Sequence, residues 1–244
     1  DSFYAEAIAQ GKVRYPGFSF HDDAKAFLRI LHDWDQWGMC QVQMNILDDE
    51  NQATLEGIRE AGRRGVGVVV MEPLRGGLLA NPPVDVKAVY DAYAVQRSPV
   101  EWGFRYLYAM PEVITILSGM STWAQVTDNL RIFDMAKRPT LTDEELALYQ
   151  KVKATYLART KTRCTGCKYC QPCPMGVQIP RIFQGYDAAM LRADSSFKAG
   201  YAQIQADHAD ASQCIHCRKC ERACPQHLPI TRFLEEIHAA SAAE

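Results

Sequence analysis

No stretch of this 244-residue chain carries the roughly twenty consecutive apolar residues that a bilayer crossing requires. Excess charge is missing too. The 27 basic and 29 acidic side chains nearly cancel, so the cationic footprint of a polyanion binder is absent and nucleic acid is not an expected partner. The opening residues, which begin on Asp1 without a methionine, show no secretory leader pattern. The expectation is a cytoplasmic protein with no membrane span. Cysteine is scarce over most of the chain: Cys40 stands alone, and the other eight all lie between Cys164 and Cys224. Disulfides are therefore not the first reading, because CxxC groupings in a long chain without a leader point to metal ligation.

What is there is concentrated. The stretch RCTGCKYCQPCP (163–174) contains Cys164, Cys167, Cys170 and Cys173, and the second run contains Cys214, Cys217, Cys220 and Cys224. Each run closes on Cys-Pro, with Pro174 and Pro225 turning the chain away from the site. Three cysteines at this spacing can wrap one loop around an iron–sulfur cubane, and in two-cluster proteins the fourth cysteine of each run serves the other cluster. Cys164, Cys167 and Cys170 are thus expected to hold one [4Fe–4S] cluster with Cys224, and Cys214, Cys217 and Cys220 the other with Cys173. The first run closes with two intervening residues where three are usual. Zinc is the alternative, since paired CxxC knuckles also build four-thiolate zinc sites. Lys168, Arg218 and Lys219 would offset cluster charge, and His216 and His227 read as surface or supporting residues.

The earlier part of the chain alternates in period. Strands are expected at 12–20, 39–46, 65–71 and 113–117, and helices at 21–34, 51–64, 99–110 and 123–136. Continuous Val/Ile runs separated by helices imply a parallel sheet covered by helices. Ligands of such folds bind at the C-terminal ends of the strands, here GFSFH (17–21), MNILDDE (44–50), MEPLRGG (71–77) and LSGMS (117–121). Arg75, Gly76 and Gly77 offer a cation and accessible amides; Gly119 and Ser121 lead into a helix start that favours an anion. The competing reading is an ordinary turn with a solvated charge. Thr142 and Glu145 form a capping box that opens a linking helix, with Leu146, Tyr149, Val152 and Tyr156 along one side. Between and after the cysteine runs, 179–183, 197–204 and 230–240 read as helices, and Ile179-Pro180 and Pro229-Ile230 form a faint repeat. Cys40 reads as core, and Trp34, Trp37, Trp102 and Trp123 as helix packing.

GFSFH, CQVQMN, VVVMEPLRGGLLA and LSGMSTWAQVTDNL, in this order, resemble the second half of an aldo-keto reductase barrel. CTGCKYCQPCP and CIHCRKCERACPQHLPI are similar to the branch of that family with a C-terminal iron–sulfur domain. The resemblance implies an α/β fold: about four βα units forming the C-terminal part of a TIM-type (β/α)8 barrel (1–138), a linking helix (139–161) and an α-helical two-cluster ferredoxin domain (162–244). It implies that Ser19 and Gln41 bond a nicotinamide carboxamide and that Met71 meets the ring through sulfur. Leu74, Arg75, Gly76 and Gly77, with Ser118, Gly119 and Ser121, would line pyrophosphate and ribose, and Gln125, Asp128 and Asn129 the adenine. Gly119 stands where many relatives carry a lysine and Gln125 where an arginine is common, so NADPH and NADH both stay open. The family's catalytic Asp, Tyr, Lys and His come from the first four strands, which this sequence does not contain; no catalytic residue is assigned. A longer parent protein, or a homodimer closing the half-barrel, is expected. The function implied is an oxidoreductase coupling NAD(P)(H) to two clusters, with a small carbonyl-type substrate or a redox partner protein. Because nicotinamide moves two electrons and clusters one, flavin is a third cofactor to consider. A carbonyl reductase with structural or redox-sensing clusters, or a non-catalytic electron-transfer subunit, are the alternatives.

Overall fold

The computed structural model describes residues 2–134, 138–164, 166–224 and 226–242. Contacts divide the chain into two compact units, Asp1–Lys153 and Ala154–Glu244, each with its own core. No described helix is long and apolar enough to cross a membrane.

The first unit is built on four parallel strands, β1 (Gly17–Ser19), β2 (Met39–Gln43), β3 (Gly67–Met71) and β4 (Val113–Ile116), in the spatial order of the sequence. Pairing is in step from Gly17↔Met39 to Met39↔Gly67, with one register shift between β3 and β4 at Val68/Val69. Cys40, Val42, Val68 and Val70 are fully buried, whereas Gln41, Gln43 and Met71 are only partly covered. This is the period-two alternation of a wall with two different faces. The helices that follow the first two strands, α2 (Ala24–Asp33) and α3 (Thr54–Arg63), bury Phe27, Leu31, Ile58 and Ala61. They pack closely because position 57 has no side chain: a Cβ there would sit 2.8 Å from the Phe27 ring.

The first strand is shorter than expected. Instead of 12–20 it covers only Gly17–Ser19, because residues 2–9 form a helix, α1 (Ser2–Ala9), whose end is closed by Gln10 and Gly11. Pro16 then offers its carbonyl to Gly38 but has no N–H for a ladder. A second unpredicted helix, α4 (Val84–Asp91), follows β3 and buries Val86 and Tyr90 four residues apart. Helices α5 (Pro99–Tyr108) and α6 (Trp123–Phe133) fall where expected; the predicted end of α6 at Ala136 lies outside the described residues. Trp102 is core, and Trp34 and Trp37 join Tyr4 in an aromatic cluster, but Trp123 is 85% exposed.

Helix α7 (Asp143–Arg159) opens with the expected box, Thr142 and Glu145 each accepting the other's backbone N–H at 3.2 Å. Its buried positions are Leu148, Tyr149, Val152 and Tyr156; Leu146 is exposed. The stripe shifts because Glu145 is itself buried, held by Arg105 through two hydrogen bonds of 2.9 Å and by Arg97 at 3.3 Å. Burial pushes the Glu145 carboxyl up, yet the bonds from Arg105 and Thr142 and the two arginine charges outweigh it and hold it below its ordinary value.

The second unit is helical: α8 (Ile179–Arg192), α9 (Ser196–Ala206), α10 (Lys219–Ala223) and α11 (Ile230–Ala242). The faint repeat is a structural one. Gly166 and His216 both have positive φ, as do Lys168 and Arg218, and then Gly176 and His227, one residue further apart. Gly176 donates to Cys173 and His227 to Cys224 in the same way, and α8 and α11 begin at the matching residues Ile179 and Ile230. The single extra residue in the second run accounts for the changed offset. Val177, Ile179, Ile182 and Phe183 from one half meet Ile230, Leu234 and Ile237 from the other in one core.

Candidate cluster cavities and cofactor groove

In the second unit the cysteines line two cavities. Cys164, Cys167, Cys170 and Cys224 line the first, with Phe183, Leu228 and Ile230 as apolar wall. Cys170, Cys173, Cys214, Cys217 and Cys220 line the second, with Val177 and Leu234 behind them. Each cavity therefore draws cysteines from both runs, and Cys170 borders both. Among the described residues no three His, Cys, Asp or Glu side chains converge on a single ion. Pro174 is exposed beside the second cavity, and Pro225 lies outside the described residues.

Two carboxylates, Asp187 buried and Glu221 partly so, hold these loops in place. Asp187 on α8 accepts the backbone N–H of Lys161, Thr162 and Arg163 and the Thr162 hydroxyl, at 2.7–3.2 Å. Thr162 Oγ1 in turn accepts the N–H of Cys164 at 3.2 Å. Glu221, next to Cys220, accepts from the N–H and hydroxyl of Thr231 at 2.9 and 2.7 Å, which fixes α10 against the start of α11. Neither acid was expected from the sequence, where an isolated Asp within a helix carries no mark of what its carboxylate touches. Burial pushes the thiols of Cys170 and Cys220 up to about 11, so ligation requires these protons to be displaced. His216 lies 3.5 Å from Glu235, half exposed, as a surface residue would.

In the first unit the expected positions gather at the C-terminal ends of the strands. Gln41 Nε2 donates to Ser19 Oγ at 3.4 Å and lies 3.6 Å from the Met71 sulfur. Met71 also opens a groove of about 630 Å³ whose walls include Leu74, Gly76, Gly77, Ser118, Gly119, Gln125 and Asn129. Leu74 reaches it because residue 103 is glycine; a Cβ there would sit 2.7 Å from the leucine. Gly77 has φ of 88°, a conformation glycine adopts without strain.

Three expected positions behave differently. Arg75 turns away to Asp48, 3.5 Å distant; Asp128 pairs with Arg131 at 2.8 Å and, like Ser121, does not line the groove. The Ser121 and Thr122 amides donate to Gln125 Oε1 at 2.8 and 3.2 Å, completing the capping box of α6. Helix-start amides expected to meet an anion are thus already engaged. Asn129 donates to Ser118 Oγ at 2.9 Å. Val100 and Phe104 on α5, and Asn81 in the loop that precedes α4, line the groove without having been foreseen. So does a support beneath it: buried Asn45 bonds Asp48 and the Glu72 carbonyl at 2.9 and 3.0 Å, tying the loop after β2 to the loop after β3.

A parallel sheet with a groove at its strand ends, joined to a helical unit with two cysteine-lined cavities, defines a two-part redox protein. The chain belongs to the aldo/keto reductase family, which matches residues 2–154, and it carries a 4Fe-4S dicluster domain at residues 163–228. Among solved structures, the holo form of the aldo-keto reductase AKR11C1 from Bacillus halodurans aligns at 24% identity and a TM-score of 0.50, covering 62% of this chain and 54% of that one. An aldo-keto reductase from Klebsiella pneumoniae in complex with NADPH aligns at 21% identity and a TM-score of 0.45, covering 61% and 51%. At these identities the likeness concerns the fold alone, and the chain spans about half the length of these structures. No curated protein matches the chain.

Proposed function

We propose that this oxidoreductase binds NADPH or NADH in the groove of its first unit and holds two [4Fe–4S] clusters, each ligated across the two runs, in its second. Cys164, Cys167, Cys170 and Cys224 would hold one cluster, and Cys214, Cys217, Cys220 and Cys173 the other. The observation that carries this is that all eight cysteines line two cavities, each drawn from both runs, with Cys170 bordering both. Zinc would gather four thiolates at about 2.3 Å around one centre, whereas two triple-cysteine runs, each closed by a fourth cysteine, are the ligand spacing of a pair of cubanes. When bound, such clusters supply one-electron storage at a potential set by the surrounding charge, hydrogen bonds and exposure.

In the first unit, Ser19 and Gln41 would bond the nicotinamide carboxamide and Met71 would place its sulfur against the ring. Leu74, Gly76 and Gly77 with Ser118 and Gly119 would border the pyrophosphate, and Gln125 and Asn129 the adenine. Asn45 and Asp48 would keep the loop after β3 in position. Linking two-electron hydride chemistry to one-electron centres requires a group able to do both, which is the chemistry of flavin. The reducing cytoplasm suits eight ligating thiols. Closing the open edges at β1 and β4 calls for further strands, from a longer chain or from a second copy. The substrate class is a small carbonyl compound.

The test is anaerobic assembly with iron and sulfide, followed by metal counting and EPR of the reduced protein. About eight irons per chain and two interacting paramagnets are expected. Two zinc ions per chain in oxygen-protected material, with no iron retained, would remove the proposal. Quenching of protein fluorescence by NADPH tests the groove separately.

A further inference from the structure

The two cysteine cavities differ in what surrounds their openings. The first is lined by buried Phe183, Pro180 and Ile230 and by exposed Cys167, Lys168 and Gln226, with no large exposed apolar side chain among them. The second opens among side chains that face solvent: Tyr169 is 69% exposed, Ile215 60% and Met175 41%, and Pro172 and Pro174 are exposed beside them. Its charged lining residues are Arg218 and Lys219, and no acidic side chain lines it. Arg218 is 71% exposed, its nearest carboxylate being Glu221 at 4.0 Å, which is itself turned to Thr231. Exposed apolar side chains grouped around one opening and bordered by cations are what a binding surface presents.

We propose that this opening is a docking surface for an acidic protein electron carrier. The inference rests on the two-cluster reading and names the partner of that site. Apolar residues at the centre and cations at the rim are the arrangement of a transient protein interface. The sign of the rim selects an acidic partner, steers its approach and fixes its orientation. A membrane or nucleic acid would need a broader cationic field than a chain of net charge −2 presents. Exchange at such a contact is one electron per encounter: the carrier gains the electron that this chain loses, with no bond made or broken. Cys173, Cys214, Cys217 and Cys220 line the same cavity, so carrier and donor thiolates share one opening.

The full chain with clusters assembled anaerobically is titrated with a small acidic [2Fe–2S] ferredoxin, and separately with a basic cytochrome c. Binding of the acidic carrier is expected to weaken at least tenfold when Arg218→Glu and Lys219→Glu are combined, with iron content and EPR unchanged. In the unaltered chain it should weaken steeply with added salt. The paired substitutions Tyr169→Ser and Ile215→Ser, which leave the rim charged, should weaken binding without changing the salt dependence. If the charge reversal prevents cluster assembly, this second pair and the salt series decide. Acidic-carrier binding indifferent to both pairs, a basic carrier bound equally well, or self-association of the chain abolished by the serine pair would each overturn the inference while leaving the clusters in place. Iron-free material with no EPR signal would instead remove the two-cluster reading, and this inference with it.

Discussion

At the scale of single residues, charge and burial act through a few side chains. Gln41 touches both Ser19 and Met71, so it is the position on which the proposed carboxamide contact depends. Replacing it with alanine should weaken NADPH binding about tenfold, the cost of roughly one good hydrogen bond, measured by fluorescence titration. Glu145 has a folded-state pKa below the ordinary 4.5. Its contribution to stability is present above 4.5 and lost as pH falls through the lowered value. Glu145→Gln should therefore flatten that acid limb in denaturant titrations while also lowering stability at neutral pH, because Arg97 and Arg105 lose their shared partner. Cys40 is the opposite case. Fully buried, with its thiol pushed up to about 12, it should stay unalkylated by iodoacetamide at pH 8 in the native chain and react only on unfolding.

At the scale of elements, helix starts and cysteine loops make distinct predictions. Thr142 caps α7 by accepting the Glu145 N–H, and Thr142→Ala should cost about 1 kcal/mol in chemical denaturation. The crossed ligand sets give a sharper test. Cys224→Ser changes the second run, yet it should remove the cluster of the first cavity; Cys173→Ser should do the converse. Each variant should retain about four irons and a single paramagnet in EPR. If Cys224→Ser instead removed the cluster bound by Cys214, Cys217 and Cys220, each run would serve its own cluster. Asp187 bonds three successive amides ahead of Cys164, so Asp187→Asn should loosen that loop and lower retention of the first cluster.

At the scale of the whole molecule, the two units have different sources of stability. The first relies on a helix-covered parallel sheet and the second on a modest core between two cysteine loops. Two unfolding transitions are expected, and a strong iron chelator under reducing conditions should move only the transition of the second unit, since ligation is folding energy there. Calorimetry with and without chelator checks this. The open edges at β1 and β4 also carry a consequence: β1 has only three residues and β4 pairs on one side within the described sheet. A chain studied with these edges bare should self-associate at high concentration, and extending it by further strands should suppress this.

Sequence alone determined what depends on local spacing and side-chain identity. Cysteine intervals announced two loops able to wrap metal; the Val/Ile runs announced a parallel sheet; Thr142 and Glu145 announced a helix start. Each of these is written within a few residues, and the family match to the first unit followed from such stretches read in order. Tertiary structure decided what depends on partners distant in the chain. It turned Arg75 to Asp48 rather than to the groove, engaged the Ser121 amide with Gln125 and left Trp123 in solvent. It also supplied Asp187, Asn45 and Phe104, whose roles have no local signature. The physical reason is that a side chain's type is fixed by covalent chemistry, but its environment is set by residues the fold brings from elsewhere.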